Sequence, residues 1–233
     1  MNANETHLFA VSVARHGRGL VAFAPGRAPE KPLELYEFEA CPYCRKVREA
    51  LTELDIGYVS RSAARGSASR NEAIARGGKR QFPYLHDPNT DTWLYESEDI
   101  IDHLHATYGR GRAAWKRRLA PLNTATSALA SAVRPGRRHV APGLEDRPQP
   151  PQLLELWSFE ASPYCRKVRE ELNRLGLDAL VHNVGKRGRR RAELVALGGK
   201  MQVPYLVDPN TGTAMYESDD IVAYLRATYG PRG

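Results

Sequence analysis

The chain has 233 residues and a formal net charge of +7, with 42% hydrophobic and 26% charged residues, the composition of a soluble globular protein. No uninterrupted apolar run approaches the ~20 residues of a membrane span. The partly apolar start, His7 to Phe23, is broken by Arg15, His16 and Arg18 and has no basic segment ahead of an apolar core, so no secretory signal is expected. Three cysteines exclude a disulfide framework and fit a reducing, cytoplasmic compartment.

In chain order, residues 1–32 read as a leader helix and an extended arm. Leu33-Glu-Leu-Tyr-Glu-Phe38 then alternates apolar and polar residues, the period of a strand. Pro42 follows at a favoured first helical position, and Val47, Leu51 and Leu54 form one helical stripe. Arg45, Lys46, Arg48 and Glu49 fall off that stripe. Tyr58-Val59 reads as a short strand and residues 71–76 as a helix stopped by Gly77-Gly78. A strand pair is expected around the turn Asp87-Pro88-Asn89-Thr90, and Ser97 is the expected cap of a last helix ending near Gly109. Residues 110–153 form a linker, Ala-rich and partly helical from Trp115, interrupted at Pro121, then extended and proline-rich.

The pattern of residues 33–109 recurs without a gap in residues 154–230, with more than half of the positions identical. Cys41-Pro42-Tyr43-Cys44 returns as Ser162-Pro163-Tyr164-Cys165, so one unit was duplicated and only one copy keeps the first cysteine. The two leaders also echo each other, with Ser12, Arg15, Gly17 and Arg18 answering Ser131, Arg134, Gly136 and Arg137. Two basic runs, 110–118 and 186–191, carry much of the positive charge and read as solvated loops. No aromatic residues interleave them, so no nucleic-acid partner is expected.

Cys41 stands where a strand ends and a helix begins. Unpaired N–H groups and the positive end of the helix dipole favour a thiolate there. Cys44, one turn on, is within disulfide reach, so Cys41 is the expected nucleophile and Cys44 the resolving thiol. A zinc site would need two further ligands that the spacing does not supply, and no metal is expected. Phe82-Pro83 and Val203-Pro204 each open a strand, and a cis bond there would turn the backbone of Phe82 or Val203 toward an extended peptide ligand. Glu96-Ser97 and Glu217-Ser218 begin the last helices, where free N–H groups and a hydroxyl can hold a carboxylate and the glutamate an ammonium.

With these pieces assembled, each repeat resembles the glutathione-binding, thioredoxin-like domain shared by glutaredoxins and the N-terminal part of glutathione S-transferases. Cys41-Pro42-Tyr43-Cys44 is similar to the dithiol glutaredoxin loop. Gln81-Phe82-Pro83-Tyr84-Leu85 with Tyr95-Glu96-Ser97-Glu98-Asp99-Ile100 is closer to the transferase pattern. The resemblance implies an α/β protein of two tandem thioredoxin-like domains, each βαβ-α-ββα, without the all-helical C-terminal domain of a transferase. It implies glutathione as co-substrate, bound through Phe82, Glu96 and Ser97, with Tyr43 and Gln81 near its glycine end. Ser162 resembles the serine of serine-type transferases, and the second repeat keeps Val203, Pro204, Glu217 and Ser218 of the binding pattern. The expected function is glutathione-dependent reduction of glutathionylated or other disulfide-bearing substrates through Cys41. The alternatives are a transferase or isomerase using Ser162, and a non-catalytic glutathione-binding scaffold.

Overall fold

A computed structural model describes Arg15 and residues 18–23, 25–132 and 138–231. Most of the echoing leader positions, Ser12, Gly17, Arg134, Gly136 and Arg137, lie outside these residues. The first repeat runs β1 (Leu33–Glu37), α1 (Pro42–Glu53), β2 (Tyr58–Ser62), α2 (Ala68–Gly77), β3 (Tyr84–Asp87), β4 (Thr92–Leu94) and α3 (Ser97–Tyr108). The linker holds α4 (Ala114–Arg118) and α5 (Ala120–Ala132). The second repeat runs β5 (Leu154–Ser158), α6 (Pro163–Leu175), β6 (Ala179–Asn183), α7 (Arg191–Gly198), β7 (Tyr205–Asp208), β8 (Thr213–Met215) and α8 (Ser218–Tyr229). Pro121 does not interrupt the linker helix as expected. It sits in the first turn of α5, where its missing N–H costs nothing, and the break falls at Leu119 instead.

Within each repeat the first two strands are parallel and joined by a helix, and the third and fourth add as an antiparallel hairpin. The apolar stripe of α1 packs on the sheet with Leu33, Leu35, Ile56, Ile100, Leu104 and Tyr108, all nearly inaccessible. The second repeat builds the same core from Leu154, Leu156, Val168, Leu172, Leu175, Ile221 and Leu225.

The two sheets are one. Strands β2 and β6 pair antiparallel, giving the continuous order β4-β3-β1-β2-β6-β5-β7-β8. Tyr58 faces Val181, Val59 faces Leu180 and Ser60 faces Ala179, so equivalent residues of the repeats meet at Val59 and Leu180. The junction therefore has the register of an isologous two-fold interface inside a single chain. It also removes the exposed edge that β2 would otherwise present.

Arginines of α1 and α6 meet glutamates of the loops that precede these helices in a buried network at this junction. Arg48 Nε reaches Glu160 Oε2 at 2.8 Å, and Arg169 Nε reaches Glu39 Oε2 at 2.9 Å, two equivalent pairs across the pseudo-two-fold. Arg169 also meets Glu160 at 2.9 Å, and Arg48 meets Glu39 at 3.2 Å and pairs with Glu37. Arg45, Lys46, Arg48 and Glu49, off the stripe as expected, are nevertheless all buried, Lys46 against Thr124 of the linker helix and Glu49 against Arg15. The basic run at 186–191 is also engaged, Arg189 with Asp55 at 3.1 Å and Arg191 with the Val184 carbonyl at 3.0 Å. In the other run Arg112 meets Glu98 at 2.7 Å.

The arms are exchanged. Residues 20–22, which precede the first repeat, bridge Lys186 of the second, with Ala22 N donating to the Lys186 carbonyl at 2.8 Å. Residues 138–140, which precede the second repeat, bridge Arg65 of the first. Gly19 lets the first arm cross the ion network: its φ is +72° and a Cβ there would stand 2.7 Å from Glu160 Cβ. Among the described residues no helix is long and apolar enough to cross a membrane.

Candidate functional site

The chain turns from β1 into α1 with Cys41 as the helix N-cap, and Pro42 opens the helix. Cys41 Sγ accepts the Cys44 N–H at 3.2 Å and lies 3.9 Å from the Phe82 carbonyl oxygen. Burial alone would raise its pKa. Hydrogen bonds from the Cys44 side chain and backbone, the Arg48 charge and the Tyr43 N–H outweigh burial, and the thiol is held below its ordinary value. Cys44 moves the opposite way, pushed well up by burial, by its partnership with Cys41 and by the Glu37 carboxylate. One thiol is poised to ionise and the other to stay protonated. Tyr43 stands half-exposed on the outer side of the loop, with Lys46 Nζ 5.9 Å from its ring centre.

Of the other predicted residues, Phe82 packs in the same buried cluster as Cys41. The Phe82–Pro83 and Val203–Pro204 bonds are both cis. Glu96 has φ +60° and Glu217 φ +64°, left-handed backbone that costs a non-glycine residue energy and is kept at the same place in both repeats. Gln81 Nε2 donates to Glu96 Oε1, and Gln202 repeats the bond to Glu217 Oε1 at 2.5 Å. The N-cap is Glu96, not Ser97 as expected. Ser97 is the first residue of α3 and is buried, and no side chain caps the helix. The same holds for Glu217 and Ser218 at α8. The first-turn N–H groups of both helices are therefore left without a side-chain acceptor, the arrangement that receives an anionic group.

In the second repeat Ser162 caps α6 as Cys41 caps α1, its Oγ accepting the Cys165 N–H at 3.2 Å. Cys165 is fully buried and burial raises its pKa, although Ser162, Arg169 and the Phe159 backbone act against it. Strands β1 and β5 run in opposite directions through the shared sheet. Cys41 and Ser162, each just beyond the end of its strand, consequently lie at opposite ends of the sheet. Among the described residues no group of His, Cys, Asp or Glu is gathered to hold a metal.

The linker supplies residues that sequence reasoning did not single out. Ser127 Oγ donates to the Pro42 carbonyl at 2.7 Å, and Lys46 Nζ donates to Thr124 Oγ1 at 2.8 Å. The spacing of Thr124, Ser127 and Ser131 on one face of an Ala-rich helix was the available signal. Arg15 also ties the leader arm to this corner, pairing with Glu49 at 2.6 Å and meeting Thr126 Oγ1 at 2.6 Å.

The glutathione S-transferase N-terminal domain model matches the chain twice, over residues 35–112 and 156–233. Among solved structures, a trimeric glutathione transferase from Leishmania is similar at 14% identity, with 86% of this chain and 69% of that chain covered and a TM-score of 0.31. No curated protein matches the chain. The two family matches contain both halves of the continuous sheet and both capped loops, and the chain belongs to the glutathione S-transferase N-terminal domain family, with the domain present twice.

Proposed function

We propose that the protein is a glutathione-dependent thiol–disulfide oxidoreductase acting through Cys41. The observation that carries this reading is the opposed poise of the two thiols, Cys41 lowered at a helix N-terminus and Cys44 raised behind it. The Cys41 thiolate attacks the glutathione sulfur of a mixed disulfide. A Cys41–glutathione bond forms as the old S–S bond breaks, and the other half leaves with the electron pair and takes up a proton. A second glutathione thiolate then attacks the Cys41–glutathione bond, releasing oxidised glutathione and restoring the Cys41 thiolate. Phe82 pairs the tripeptide backbone, Glu96 takes its ammonium and the open first turn at Ser97 its γ-glutamyl carboxylate, with Tyr43 and Gln81 toward the glycine end. Glutathione as reductant suits the cytoplasm. The test is glutathione-coupled reduction of the mixed disulfide of glutathione and 2-mercaptoethanol by wild type and Cys41→Ser. Turnover that vanishes with Cys41 supports the reading, and a folded wild type without turnover overturns it.

One observation favours a second reading at the other end of the sheet. Ser162 Oγ accepts the Cys165 N–H and so keeps its own proton to donate to a glutathione thiolate. Val203, Pro204, Glu217 and Ser218 would hold that glutathione for conjugation chemistry. Activity toward a chlorodinitrobenzene that survives Cys41→Ser and falls with Ser162→Ala would support it.

A further inference from the structure

The cysteine-bearing site is rimmed by positive charge that the fold leaves without carboxylate partners. Arg70 lies with Cζ 4.6 Å from the centre of the Phe82 ring and donates to the Ala63 carbonyl at 2.7 Å. The Phe82 carbonyl is itself 3.9 Å from Cys41 Sγ. Arg65 and Arg80 are close enough to act on Arg70 electrostatically, adding to the effect of its burial. The exchanged arm contributes Arg138, whose carbonyl accepts the Arg65 N–H at 2.7 Å. Among the described residues no ion pair joins Arg65, Arg70, Arg80 or Arg138 to a carboxylate. Of the nearby acids, Glu72 pairs with Arg76 at 3.3 Å, while Asp146 and Glu145 keep their charge and are turned to the Asn71 amide at 2.6 Å and the Gly143 N–H at 2.9 Å.

The second repeat is an internal control. Lys186 and Arg191 stand where the first repeat has Arg65 and Arg70, and Arg187 stands where it has Gly66. Met201 replaces Arg80, and Leu20, whose carbonyl accepts the Lys186 N–H at 2.8 Å, replaces Arg138. Two of the four positively charged residues, Arg80 and Arg138, thus have no cationic counterpart in the second repeat, and Arg138 is delivered by the arm of the other repeat.

We propose that this rim selects mixed disulfides whose non-glutathione half is anionic, a carboxylate-bearing small thiol or an acidic peptide, with Arg80 and Arg138 as specificity-determining residues. The proposal rests on the thiol–disulfide reading of Cys41. As the Cys41–glutathione bond forms, the leaving half departs as a thiolate, and its carboxylates and its sulfur both meet the arginine field. Glutathione is common to every such substrate, so its own carboxylates cancel in a comparison of leaving halves.

The test compares glutathione mixed disulfides of mercaptosuccinate, 2-mercaptoethanol and cysteamine, with a glutathionylated cysteine peptide flanked by aspartates as the polypeptide arm. Wild type is expected to show kcat/KM about tenfold higher for the anionic than for the neutral disulfide at low salt, shrinking as ionic strength rises. The double variant Arg80→Met/Arg138→Leu, carrying the second repeat's own residues, is expected to lose most of that preference while keeping neutral turnover within about twofold. A preference confined to the peptide or to the small disulfide identifies the source of the anionic half. Equal kcat/KM across the charge series, or a variant that slows all substrates alike, overturns the proposal. Absence of Cys41-dependent turnover with the neutral disulfide overturns instead the reading on which it rests. The rate ratio of Cys41 alkylation by iodoacetate and iodoacetamide then still reads the rim, and a ratio unchanged in the variant counts against it.

Discussion

Cys41 and Cys44 share one turn of helix and differ in environment by what each faces. Both are buried in one apolar cluster, but the N–H of Cys44 points at Cys41 Sγ at 3.2 Å, whereas Cys44 lies fully enclosed within reach of the Glu37 charge. Alkylation of Cys41 follows its thiolate, so its rate is expected to rise with pH to a plateau whose midpoint lies below that of an ordinary cysteine. Cys44→Ser is expected to keep reduction of glutathione mixed disulfides within a few-fold while losing direct reduction of protein disulfides, which needs the second thiol. Cys165 is buried at the opposite end of the sheet from Cys41. Peptide mapping after mild oxidation should therefore find a Cys41–Cys44 disulfide and a free Cys165, and a Cys165 cross-link would contradict the strand directions.

Strand and helix order was legible because it is local: alternation marks β1, the stripe of Val47, Leu51 and Leu54 marks α1, and glycines close α2. The loop, the cis prolines and the Glu-Ser pairs were legible as motifs for the same reason. What the pattern hides is any surface defined by a distant partner. Arg48 falls off the apolar stripe with no visible partner across the chain, because Glu160, 112 residues away, joins Glu37 and Glu39 around it only when the two repeats meet. Ser97 looks like a cap because residue type alone does not reveal the φ of +60° that places Glu96 there. The buried network makes its own prediction. Glu160→Ala leaves Arg48 and Arg169 in a desolvated site with too little negative charge, and is expected to cost about 3–5 kcal/mol in urea unfolding. Glu160→Gln, which keeps the shape and some hydrogen bonds, should cost less, and a cost below about 1 kcal/mol for both would show that the network relaxes or hydrates.

Acid should loosen the whole molecule through the same junction. Burial works to raise the pKa of Glu160, but Arg169, Arg48 and Arg166 overcome it and hold the carboxyl far below its ordinary range. Glu39 is lowered in the same way by Arg169 and Arg48, against the effect of burial. The unfolded chain takes up protons at these positions near pH 4.5 while the folded chain does not, so their stabilisation is complete above that pH and is lost as pH falls. Glu37 and Glu49 act in the opposite sense, since burial raises both despite Arg48 and Arg15, and they favour the folded state toward lower pH. Glu160 has the larger set of cationic partners, and the urea midpoint is expected to fall between pH 5 and 3.5. A flat or rising midpoint would mean that Glu37 and Glu49 dominate.

The symmetry of the junction carries a stronger consequence. In the intact chain β2 meets β6 in a register centred on equivalent residues, and each repeat supplies one arginine and one glutamate of the paired set. A fragment ending after α5 would leave β2 as an open edge with Arg48 and Glu39 exposed beside it. A second copy of that fragment presents the same edge in the same register: Tyr58 would face Ser60, Val59 would face itself, and Arg48 of each copy would reach Glu39 of the other. The asymmetric contacts would be lost, among them Asp178 on the Ser62 N–H at 2.8 Å and Asn183 on the Ile56 carbonyl at 2.6 Å. The fragment is therefore expected to be a homodimer in sedimentation, weaker than the intramolecular pair and disrupted by Val59→Lys, which sets like charges face to face at the axis. The intact chain should stay indifferent to concentration, because its second repeat already occupies the edge at an effective concentration no free partner matches. A fragment that remains monomeric at high concentration would show that the junction depends on the contacts unique to the second repeat rather than on the shared register.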